Sequence, residues 1–148
     1  MKLVYYKQKT KYVIAEYWEH KLFQQYKINS EFDNGFHFLK KKEDGWYIGV
    51  YPGCRVDGVT SWFDSDFLFK ASVGHDVLCW LIEDGIISED DNDKIDREFK
   101  LMIIEFNKNY PIWKGGNFVK EIRANLAEKG TNLAESHTNE KPKLYTIE

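Results

Sequence analysis

A chain of 148 residues, 43% hydrophobic and 16% aromatic, is long enough to bury one core and reads as a single domain of ordinary size. Lys+Arg 21 against Asp+Glu 24 nearly cancel and no arginine-rich run breaks the balance, so no nucleic-acid partner is expected. No stretch approaches the ~18 apolar residues of a membrane span and no signal-peptide core opens the chain, which leads us to expect cytoplasmic synthesis without export.

Residues 1–50 alternate as strands do. Leu3-Val4-Tyr5-Tyr6, Tyr12-Val13-Ile14-Ala15 and Phe36-His37-Phe38-Leu39 are rich in β-branched and aromatic residues. Asp44-Gly45 between Phe36–Lys40 and Trp46–Tyr51 is a hairpin signal, with Lys40, Lys41 and Lys42 read as its solvated tip. The stretch 16–28 fits either period, since Trp18, Leu22, Phe23 and Tyr26 also make a helical stripe; it is assigned to strand. Pro52, Gly53 and Gly58 break the pattern and make 52–60 a turn-rich loop, followed by an aromatic, acidic link over 61–70. Glycine conformations account for that loop without any function; exposed carbonyls together with Asp57 would also suit a hard cation.

Two helices follow. On one face from Ala71 to Ile82 lie Ala71, His75, Leu78, Cys79 and Ile82, which would turn His75 inward. Ser88 with Asp91 reads as a capping box opening a second helix, with Ile95, Phe99, Met102, Ile103 and Phe106 as its stripe and Asp96 at the stripe's edge. Gly85 leaves room for only a short turn, so the helices should run antiparallel. His75 stands nine residues before Asp84 and Asp96 eight after Ser88. At about 1.5 Å per residue both lie roughly 12–14 Å from the turn, level with each other. A histidine facing a carboxylate is the arrangement that orients a general base, so His75 and Asp96 are the catalytic candidates. The same pair in a packed seam would be a buried hydrogen-bonded network instead.

Asp90, Asp91, Asn92 and Asp93 do not make an EF-hand, because loop positions 6 and 12 counted from Asp91 are Asp96 and Met102. Acidic residues in a first helical turn suit the helix dipole. Pro111 ends the second helix, and 118–128 reads as a third. Cys54 and Cys79 are too few for a disulfide scaffold and are read as free thiols. The expected fold is α+β, with N-terminal antiparallel hairpins or a small sheet packed on an antiparallel helix pair plus the third helix. Residues 1–128 form the globular domain and the polar stretch 129–148 a tail, extended or bound to a partner.

The blocks Pro52 to Ser61 (PGCRVDGVTS), Ala71 to Asp76 (ASVGHD) and Asp96 to Phe99 (DREF) together resemble a phage and prophage family, domain of unknown function 1353. The likeness covers about half of the chain, roughly 45–107, and the helix pair is in turn similar to the His-Asp core of the secreted phospholipases A2. That resemblance implies a calcium-dependent hydrolase of lipid esters, acting in phage penetration or lysis. His75 would be the base and Asp96 its orienting carboxylate, while Asp76, Asp57, Gly53 and Gly58 would hold the metal. Cys79 stands where an aromatic residue is usual, and the dense glycine run and disulfides of the phospholipases are absent. The alternative is a non-catalytic virion or assembly component, made in the host cytoplasm, that meets other phage proteins or copies of itself through its tail and aromatic surface.

Overall fold

The computed structural model describes residues 1–8, 11–57, 66–108 and 143–148, and within them the fold is α+β. Eight strands appear: β1 (Leu3–Gln8), β2 (Lys11–Ile14), β3 (Trp18–Lys21), β4 (Phe32–Asp33), β5 (His37–Lys42), β6 (Gly45–Val50), β7 (Arg55–Val56) and β8 (Leu144–Ile147). Among the described residues two helices lie between β7 and β8, α1 (Asp66–Glu83) and α2 (Asn92–Phe106), with a 3₁₀ turn, Glu89–Asp91, leading into α2. The expected third helix at 118–128 and most of the tail lie outside the described residues.

The strands form two antiparallel sheets of four, in the orders β7-β2-β1-β8 and β3-β6-β5-β4. A hairpin does join β5 and β6, but its two-residue turn is Glu43-Asp44, one residue earlier than expected: Lys42 stands opposite Gly45, the first residue of β6, and His37 opposite Val50. Gly45 has φ 145°, a conformation closed to most side chains. The three lysines are the last residues of β5 rather than a free tip. Lys40 Nζ lies 3.0 Å from Asp33 Oδ2 and donates to the Tyr51 hydroxyl at 2.7 Å. Within 16–28 only Trp18–Lys21 is a strand, and the remainder runs as a loop anchored by an isolated bridge between Ile28 and Ile87.

One core joins both sheets to α1, through Leu3, Ile14, Trp18, Leu39, Ile48, Val50, Val56, Phe69, Val73, Val77, Leu81 and Ile87. The face of α1 that enters it is rotated from the expected one. Phe69, Val73, Val77 and Leu81 are buried at successive turns, whereas His75, Cys79 and Ile82 lie half-buried beside it. Nearly every position from Leu68 to Gly74 is buried, so this helix is apolar on more than one side and its period does not single out a core face.

Two further elements sit where the sequence suggested none. The pair Arg55–Val56 in the turn-rich loop is β7, which adds to β2 with Val56 opposite Tyr12. The end of the polar tail is β8, which adds to the other side of the sheet with Leu3 opposite Ile147. Tyr145 stacks on Tyr5 at 5.2 Å, Ile147 is buried, and the Lys70 ammonium donates to the Glu148 carbonyl at 2.9 Å. These last residues are therefore held by their own domain.

Candidate functional site

Antiparallel packing of α1 and α2 brings His75 and Asp96 face to face across the seam. Nε2 of His75 lies 3.5 Å from Asp96 Oδ1, a weak ion-pair distance beyond the 2.6–3.2 Å of a good hydrogen bond. His75 is not turned into the core, because the buried side of α1 is the one carrying Val73 and Val77. Its side chain is 23% exposed and that of Asp96 84%. The other ring nitrogen, Nδ1, faces Cys79 Sγ one turn along the same helix at 3.8 Å, and Phe99 of α2 packs edge-on to the imidazole at 5.3 Å. The resulting Cys79, His75, Asp96 row resembles a nucleophile, base and orienter in outline. The thiol is poorly suited to attack, because burial first, then the Asp76, Glu83 and Asp96 charges, push Cys79 up to about 11. A nucleophilic cysteine needs the opposite shift.

The proposed metal ligands are dispersed. The Asp57 carboxylate is held by the Lys11 ammonium at the β2–β7 edge of the first sheet. Gly53 takes φ 92° in the turn before β7 and donates its N–H to the Ile14 carbonyl at 2.8 Å, which is the turn chemistry expected of it. Gly58 lies outside the described residues. Asp76 sits near both thiols, since its charge helps burial to raise Cys54 as well as Cys79 to about 11. Both cysteines are free thiols.

The most heavily bonded polar group faces the opposite side of α2. Glu98 is fully buried, and its carboxylate accepts from Phe23 N at 3.1 and 3.2 Å, from Gln24 N at 3.1 Å and from the Tyr26 hydroxyl at 3.1 Å. Burial alone would push this carboxyl up; the neighbouring His20 ring and the two backbone N–H groups outweigh it and hold Glu98 below the usual carboxylate range. Asp91, the N-cap of α2 and also buried, accepts from Lys27 N, so the loop after β3 is gripped by two carboxylates, one at the start of α2 and one in its middle. Asp91 was expected to complete a capping box with Ser88. Instead Ser88 caps the 3₁₀ turn by accepting from Asp90 N at 3.3 Å.

Sequence reasoning overlooked this network, although two signals pointed to it. Glu98 lies three residues after Ile95 and four before Met102, on the apolar stripe itself, and His20 alternates with buried Trp18 along β3.

Two clefts lie away from both groups. A cleft of about 470 Å³ opens between the β5 end of the second sheet, the turn into β7 and the C-terminal end of α1, and a smaller one of about 330 Å³ lies over β4 and the lysines of β5. His75 lines neither of these. Among the described residues no group of three or more His, Cys, Asp or Glu is placed to hold a metal ion, and no helix is long and apolar enough to cross a membrane. No protein-family model, curated protein or solved structure matches the chain.

Proposed function

We propose that this chain is a non-catalytic binding or assembly protein, the virion-component reading that accompanies its resemblance to the phage family, and that His75 and Asp96 clasp α1 to α2. The observation that carries this reading is the disposition of the imidazole. Both its nitrogens are turned to groups of the helix pair, Asp96 at 3.5 Å and Cys79 at 3.8 Å, and its edge is covered by Phe99. A general base needs one nitrogen directed at a water or substrate in a cleft.

The second reading is the calcium-dependent lipid-ester hydrolase. It draws support from the level placement of His75 and Asp96 on facing helices, with Asp76 next along the chain. Its metal site would have to recruit Asp57 away from Lys11.

The two separate in one experiment. The full chain is assayed for phospholipid and soluble-ester hydrolysis with and without calcium, beside His75→Gln, while melting temperatures are recorded. The expected result is no turnover above buffer and no calcium-dependent rise in melting temperature, since only a ligand that prefers the folded state stabilises it. Turnover that requires calcium and disappears in His75→Gln would make the protein a hydrolase.

A further inference from the structure

The larger cleft carries a combination of charges that the fold does not need. Arg55 of β7 and Glu83 and Asp84 at the end of α1 line the same space without pairing with one another, and none of the three has an ion pair among the described residues. The two carboxylates are also badly placed for the helix. The C-terminal turn of α1 holds no basic residue, and carboxylates there add to the negative end of the macrodipole. Gly85, at φ 73°, ends the helix in the left-handed conformation, with Gly85 N and Ile86 N donating to the Ile82 and Leu81 carbonyls. The cap is thus complete without Glu83 or Asp84, and among the described residues neither carboxylate has an ion pair.

Between these charges the walls are aromatic. Phe36 is 56% exposed, unusual for so large an apolar side chain, and half-buried Trp80 lies 5.0 Å from the His37 ring. His37, only 7% exposed, also lines the cleft. Its tautomer follows from Asn34. The Asn34 Oδ1 accepts from Phe36 N and His37 N at 2.9 Å each, so the amide turns its NH₂ to the imidazole, 3.4 Å from Nδ1. With Nδ1 accepting, the ring proton sits on Nε2, and that buried N–H has no acceptor. A buried donor left unpaired is a cost that a bound acceptor removes.

We propose that this cleft binds a small amphoteric ligand of the amino-acid or peptide class, bearing a guanidinium or ammonium group and a carboxylate. Its cation lies against Trp80 and Phe36 and is met by Glu83 and Asp84, its carboxylate is met by Arg55, and one of its carbonyl oxygens accepts a hydrogen bond from the His37 Nε2–H. The cation is attracted twice, by the carboxylates and helix terminus and by the aromatic faces. The volume of about 470 Å³ falls within the range of small-ligand sites, ~300–1,000 Å³.

The test is an amide-shift titration of the full chain with Nα-acetylarginine, which carries both charges, and with Nα-acetylarginine amide, which carries only the cation. Saturable shifts centred on Trp80, Arg55 and the Gly53 turn are expected. The double variant Glu83→Gln, Asp84→Asn should weaken both probes about tenfold or more, the worth of a charge-assisted contact. Arg55→Gln should weaken Nα-acetylarginine by a similar factor and leave the amide unchanged. All three positions are exposed, and unchanged melting curves will show that the variants fold. Absence of saturable shifts with either probe overturns the proposal, as does binding that neither variant weakens.

Discussion

Glu98 Oε2 lies 3.6 Å from His20 Nε2, and the two side chains are 0% and 5% exposed, so a strand of the second sheet and the second helix meet through a buried carboxylate and an imidazole. The same carboxylate closes the loop after β3 by accepting from two backbone N–H groups. Replacing Glu98 with Ala would leave those backbone donors buried without an acceptor. Each buried donor left unpaired costs about 1–3 kcal/mol, and two are left here. We expect Glu98→Ala to be among the most destabilising single changes in α2, as measured by the urea midpoint, and a loss below about 1 kcal/mol would show that the network is incidental.

Stability should fall with acid in two pH windows. Burial holds His37 below its ordinary value, so its contribution is complete above the unfolded histidine pKa of about 6.5 and declines as pH falls toward the lowered folded value. Glu98 is also depressed, and its contribution is complete above the unfolded carboxyl pKa of about 4.3 and is lost as pH falls through its folded value. Urea midpoints between pH 8 and pH 3 should fall in both windows, and His37→Gln should erase the upper one. A midpoint that holds steady or rises from pH 7 to pH 5 would contradict the assignment to His37.

Cys54 and Cys79, both pushed up to about 11 by burial and the Asp76 charge, should resist alkylation. At pH 8 a thiol of that pKa is about one part in a thousand thiolate, so iodoacetamide should act roughly two-hundredfold more slowly than on a free cysteine of pKa ~8.5. Denaturant should abolish the difference. Rapid modification of Cys79 in the native protein would indicate instead that His75 activates it.

Gly49 and Gly74 should respond differently to Ala. A methyl on Gly49 would overlap the Phe38 ring and the Trp18 carbonyl, the latter being backbone of the paired strand and unable to yield. On Gly74 it would meet the Met102 thioether, the flexible end of a long side chain. Thermal melts should show Gly49→Ala to cost about 2–3 kcal/mol, the range for overpacking a tight interior, and Gly74→Ala clearly less.

The difference between what the sequence disclosed and what it hid follows from how each feature announces itself. The β5–β6 hairpin is legible because a tight turn draws residues such as Asp44 and Gly45, although the turn itself is one residue earlier, at Glu43-Asp44; the helix pair is legible because Gly85 and two apolar segments bracket it. The meeting of His75 and Asp96 is legible from arithmetic along two helices, though not their exposure, because α1 is apolar on too many sides to reveal which one enters the core. β7 is two residues long and exists only through its pairing with β2, a non-local interaction that no local window contains. Glu98 stayed hidden because a charged residue within an apolar stripe reads as an exception, whereas its burial depends on partners more than seventy residues away in sequence.

The β1–β8 pair sets a schedule for folding. Leu3 and Ile147 are 144 positions apart (147 − 3), yet they stand opposite each other in one sheet. At a synthesis rate of about 5–20 residues per second, β1 waits on the order of ten seconds for its partner. During that interval the outer side of β1 is an open strand edge, with Tyr5 still lacking the Tyr145 ring that covers it in the finished sheet. Closure of that edge is therefore a late, chain-spanning event, and the nascent chain stays open to pairing with a neighbouring copy until Leu144–Ile147 has been made.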